Sequence, residues 1–61
     1  MITIKYHLWF RDQGQKVIDS DVHLITGSDI KFHDRIFEIK TQLYELLDNG
    51  DVILHYNCFE K

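Results

Sequence analysis

Four histidines, one cysteine and one tryptophan are the side chains from which this 61-residue chain could build chemistry. By alternation, His7, His23 and His55 fall on one face of a predicted sheet, with Asp21 opposite His7. Three imidazole nitrogens and a carboxylate are a zinc donor set. No two of them stand at a recognised ligand spacing, so they read as ordinary exposed polar residues. Neither a metal nor a cofactor is expected. Cys58 falls at an inward position and reads as a small core residue rather than a nucleophile. The chain carries no phosphate loop, nucleophile elbow or CxxC pair. A domain this short leaves little room for a water-excluding pocket. Binding, not catalysis, is the expectation.

Composition narrows what is bound. Apolar residues make up 44% of the chain, which is globular rather than disordered. Seven Lys and Arg stand against ten Asp and Glu, a formal charge of −3. Nucleic-acid binders carry a basic stripe, and none is present, so a protein partner is favoured. A single cysteine cannot form an intrachain disulfide, and no signal-peptide pattern is seen, so a reducing, cytoplasmic setting is expected. The longest apolar runs, Leu8 to Phe10 and Val52 to Leu54, are far too short to span a membrane.

These side chains need elements to position them. Residues 1–61 read as a single domain. Residues 2–11 alternate: Ile2, Ile4, Tyr6, Leu8 and Phe10 point one way, and Thr3, Lys5, His7, Trp9 and Arg11 the other. That is a half-buried strand. Residues 16–26 form a second strand. Pairing Phe10 with Ile18, Leu8 with Ser20, Tyr6 with Val22 and Ile4 with Leu24 buries the apolar face best and leaves a loop at Gln13 to Gln15. Ser28 then reads as a helix cap, with the helix ending at Asn49-Gly50. Asp51 to Phe59 is the third strand. Its Val52, Leu54, Tyr56 and Cys58 point inward, and its Ile53, His55, Asn57 and Phe59 outward. The predicted fold is α+β. Its order is β-β-α-β, with a three-stranded antiparallel sheet (order 2-1-3) and one helix packed on one face.

Three surfaces follow. Phe32, Ile36, Ile39, Leu43, Leu46 and Leu47 make the helix core stripe. Ile30, His33, Phe37 and Tyr44 lie beside it and widen the apolar arc to roughly twice what a surface helix needs. That flank is the expected homodimer or partner interface. Asp34, Glu38, Glu45 and Asp48 form an acidic strip opposite the core, sparser than the phosphates of a DNA strand. The open sheet face carries Trp9 and Phe59, residue types suited to anchoring a partner or stacking bases.

The element order, size and acidic balance resemble those of small phage inhibitor proteins. One such group blocks uracil-DNA glycosylase by imitating DNA, as a dimer. The resemblance is architectural, and no functional residue is carried over from it. It implies a small acidic inhibitor or adaptor, encoded by a phage or mobile element, that blocks a host protein, with DNA mimicry as one route. The alternatives are a nucleic-acid-binding module using the open sheet face and a small self-assembling subunit.

Overall fold

The computed structural model describes residues 1–61, and all its regular structure is sheet. Five strands, β1 (Ile2–Phe10), β2 (Gly14–Ser20), β3 (Asp29–Phe32), β4 (Arg35–Leu46) and β5 (Val52–Glu60), lie in the order β2-β1-β5-β4-β3. β1 and β5 are parallel, and the other neighbouring pairs are antiparallel. The predicted α+β class is therefore wrong, and with it the architectural resemblance to helix-bearing inhibitors. The two strands predicted first and last are adjacent as expected, but parallel rather than antiparallel.

The residues expected in a helix instead form a hairpin and a long strand. The segment is rich in β-branched and aromatic residues (Ile30, Phe32, Ile36, Phe37, Ile39, Thr41, Tyr44), and the whole chain contains no alanine. Those side chains favour a pleated sheet over a helix. The chain reverses at His33-Asp34, between the paired Phe32 and Arg35. His33 takes a φ of 55°, the one non-glycine residue at positive φ, as a two-residue hairpin of the mirror-image type requires.

The first hairpin has its own correction. Phe10 pairs with Gly14, Leu8 with Lys16, Tyr6 with Ile18 and Ile4 with Ser20, four residues tighter than the sequence suggests. Gly14 fixes this register because it supplies the positive φ, 82°, that closes the turn. Paired strand then ends at Ser20. Val22 and Leu24, expected within the second strand, belong instead to a segment that crosses the core face. The Tyr6 hydroxyl donates to the Val22 carbonyl, and the Tyr56 hydroxyl donates to that of Leu24 at 2.6 Å.

The buried core is Ile4, Tyr6, Leu8, Phe37, Ile39, Leu54, Tyr56 and Cys58, all on this one face. The inward positions expected for the first and last strands are thus the core at their middles. Tyr6 and Tyr56 stack at 4.9 Å. The sheet curls, bringing its two edge strands toward each other. Lys16 of β2 lies 5.9 Å from the Phe32 ring of β3, and Arg35 bonds Asp12 at 2.7 Å. An apolar cleft of about 190 Å³ remains between those edges, lined by Ile18, Val22, Leu24, Ile30 and Phe32 among others. No helix is long and apolar enough to cross a membrane.

Candidate binding face

The opposite face of the sheet is covered by nothing. Alternation sends Lys5, His7 and Trp9 of β1 to it, and Ile53, His55, Asn57 and Phe59 of β5. Because these strands run parallel, Trp9 stands opposite Phe59, and His7 stands opposite Asn57. β2 adds Gln15, Val17 and Asp19, and β4 adds Thr41, Leu43 and Glu45.

Two hydrogen-bonded rows cross this face. The longer spans four strands. Gln15 Nε2 lies 2.9 Å from His7 Nδ1, His7 Nε2 lies 2.8 Å from His55 Nδ1, and His55 Nε2 lies 2.8 Å from Glu45 Oε1. One proton arrangement satisfies the whole row: Gln15 donates to His7, His7 to His55, and His55 to the Glu45 carboxylate. Both rings are then neutral. Burial, then the neighbouring His55 and Lys5, hold His7 below the usual imidazole range. The shorter row begins at Trp9, whose indole N–H donates to Asn57 Oδ1 at 3.3 Å. Asn57 Nδ2 in turn donates to Thr41 Oγ1 at 3.1 Å.

Beside these rows, Trp9 and Phe59 stack at 6.1 Å with their planes 13° apart. They remain 39% and 44% exposed, so their outer faces meet water. Lys5 pairs with Asp19 at 3.0 Å and Lys40 with Glu38 at 3.1 Å, while Glu45 keeps its negative charge against the neutral His55.

The structure brings two of the expected interface residues together, Trp9 and Phe59. The others part company. Phe37 is wholly buried and packs edge-on against Phe10 at 5.0 Å, so it belongs to the core. Ile30 is half-buried against that core, and His33 sits in the β3–β4 turn with its ring edge-on to Phe32. Tyr44 is 55% exposed on the far half of β4. The acidic strip depended on a helix and does not form. Asp34 and Asp48 lie in turns at opposite ends of β4, and Glu38 and Glu45 are each paired. His23 and Asp21 leave the sheet with the crossing segment, so the four-donor zinc grouping is not assembled.

Sequence reasoning missed the roles of Gln15, Thr41 and Asn57 and the pairing of His7 with His55. The alternation in both strands was the available signal, since it placed those histidines on one face. Neighbour identity needed the parallel register. Cys58 is fully buried, and burial pushes its thiol up to about 11, in keeping with a core role. Comparison with known proteins returns no match: no family model covers the chain, and no curated sequence and no solved structure is significantly similar to it.

Proposed function

We propose that this chain is a small binding module, acting as an inhibitor or adaptor, whose uncovered sheet face docks a protein partner in the cytoplasm. One observation carries the reading. Trp9 and Phe59 lie exposed and stacked on an uncovered face, with Trp9 already held in place by Asn57. Aromatic anchors ringed by polar groups carry most of the energy in protein interfaces. A pre-positioned tryptophan also loses little rotamer freedom on docking. Lys5 and Lys40 are both already paired with carboxylates and Glu45 is left negative, which favours contact by apolar area and hydrogen bonds over phosphate binding. The scattered carboxylates likewise remove the geometric basis for DNA mimicry. The free, buried Cys58 accords with a reducing compartment.

The test is affinity capture from a bacterial lysate with the parent chain, Trp9→Ala and Phe59→Ala. A partner retained by the parent and lost by both folded variants supports the reading. Equal retention by all three overturns it.

A second reading, self-association, is favoured by the outer edge of β4. β3 covers that edge only from Arg35 to Glu38, and Gly27 and Ser28 bond it at Ile39. Beyond this point no strand pairs with it, and Leu43, Tyr44 and Leu46 are exposed. An unpaired edge of this length is a template for a second strand, although Lys40 and Glu45 place charge along it. Sedimentation decides this reading: a monomer at high micromolar concentration removes it.

A further inference from the structure

The two central histidines of the open face are hydrogen-bonded to each other through their inner nitrogens. Each ring has its outer nitrogen held by a polar partner, Gln15 at His7 Nδ1 and Glu45 at His55 Nε2. The two inner nitrogens, His7 Nε2 and His55 Nδ1, face each other at 2.8 Å on an uncovered surface. His55 shows the pattern of a metal-ligating histidine, its second ring N–H held by a carboxylate, whereas at His7 the Gln15 amide donates to the ring and must turn over before Nε2 can ligate. The separation fits as well. Imidazole nitrogens bind zinc at about 2.0–2.1 Å, so two of them on one ion stand about 2.9 Å apart at a right angle and about 3.3 Å apart at the tetrahedral angle. The first value is close to the 2.8 Å hydrogen-bonded spacing, so the rings need only turn until both lone pairs aim at a point outside the face, and the second value adds a small opening between neighbouring strands.

We propose that His7 and His55 form a two-histidine site for an imidazole-preferring divalent ion, of the class of Cu²⁺, Zn²⁺ and Ni²⁺. No third His, Cys, Asp or Glu converges on the pair, so the remaining coordination positions face solvent and are filled by water. Binding moves one proton without releasing it. The proton between the rings leaves His7 Nε2, and His7 takes the tautomer protonated at Nδ1. The Gln15 amide turns over so that its oxygen accepts that N–H. His55 keeps its Nε2–H bond to Glu45. Two nitrogen lone pairs then meet the ion, with no change in oxidation state. Soft thiolate chemistry is absent here and the donors are imidazoles, which suit these ions rather than Mg²⁺ or Ca²⁺. The inference does not depend on the docking proposal, because it is read on the isolated protein.

Trp9 supplies a built-in reporter. It lies two residues from His7 on the same face, about 7 Å along the strand, and it is the only tryptophan. Cu²⁺ added to the purified chain should quench its fluorescence with a one-to-one midpoint. His7→Gln and His55→Gln should each weaken that midpoint tenfold or more, and Glu45→Gln about tenfold. His23→Gln and His33→Gln should change it less than twofold. Zn²⁺ titrated into the parent chain, followed by NMR, guards against misfolded variants: the ring protons of His7 and His55 should shift while those of His23 and His33 stay. Midpoints unchanged by His7→Gln and His55→Gln, or Zn²⁺ shifts centred on any other residue, would overturn the site.

Discussion

Replacing Tyr56 by Phe isolates the bond that holds the crossing segment onto the core. The ring and its stack on Tyr6 are kept, and only the hydroxyl that donates to the Leu24 carbonyl is lost. Tyr56 is 2% exposed, so water does not readily replace the donor. The Leu24 acceptor is half-buried, so the lost bond costs about 0.5–1.5 kcal/mol. Tyr6→Phe removes the bond to the Val22 carbonyl, and because Val22 is exposed its cost falls at the lower end of that range. A domain of this length has a stability of roughly 3–9 kcal/mol, so each change removes a noticeable share and lowers the Tm by about 2–12 °C. The two acceptors are two residues apart on one segment, so the double variant should lose less than the sum of the singles: once the segment lifts, the second bond is already gone. Urea unfolding followed by Trp9 fluorescence measures all three. Tyr44→Phe is the control, because its ring is 55% exposed and its hydroxyl has no partner in the fold. Single variants within about 0.3 kcal/mol of the parent, or losses matched by Tyr44→Phe, would refute the claim that these tyrosines pin the cover.

Three further outcomes follow from particular residues. Gly50 turns the chain between β4 and β5 at a φ of 89°, and a methyl added there meets nothing within 4 Å, so Gly50→Ala should cost about 1 kcal/mol from backbone strain alone; the urea midpoint checks this. Cys58 should resist a thiol reagent at mild alkaline pH in the folded protein and react fully in urea, because its thiol is buried and raised to about 11. Burial, then His55 and Lys5, depress His7, so the unfolded chain takes up that proton first as the pH drops below about 6.5. Stability should therefore be full above that pH and fall on acidification until folded His7 itself titrates, and His7→Gln should remove that part of the slope in urea midpoints taken from pH 7.5 to 5.

How far the fold was legible depended on how regular each strand is. β1 and β5 alternate without interruption, and their inward sets, Ile4, Tyr6, Leu8 and Leu54, Tyr56, Cys58, are the core. The segment around β3 and β4 misled because two local irregularities changed its phase. The turn at His33-Asp34 and the bulge between Ile39 and Thr41 each shift the alternation by one residue. Apolar residues then occupy core-face positions 30, 32, 37, 39, 44 and 46, with Arg35 and Gln42 between them, and both 30-37-44 and 32-39-46 recur every seven residues as they would on a helix. The supposed helix stripe in fact mixes faces: Phe32, Ile39 and Leu46 lie on the core side, while Ile36 and Leu43 lie on the other. Propensity was the better signal, since the segment is Ile- and aromatic-rich in a chain without alanine. On the candidate face, Trp9 and Phe59 were legible from alternation alone. Their contact, and that of His7 with His55, was not, because it depends on β1 and β5 running parallel.

Docking on the open face is decided by mapping a captured partner onto the chain. Chemical-shift perturbation in the isotopically labelled chain, with the partner unlabelled, is the measurement. The largest changes should fall at the Trp9 indole N–H, the Phe59 ring, the Asn57 side-chain amide and the His7 and His55 rings. Changes confined to the Leu43–Leu46 edge of β4, or to the cleft between β2 and β3, with the Trp9 indole unmoved, would contradict docking on the open face.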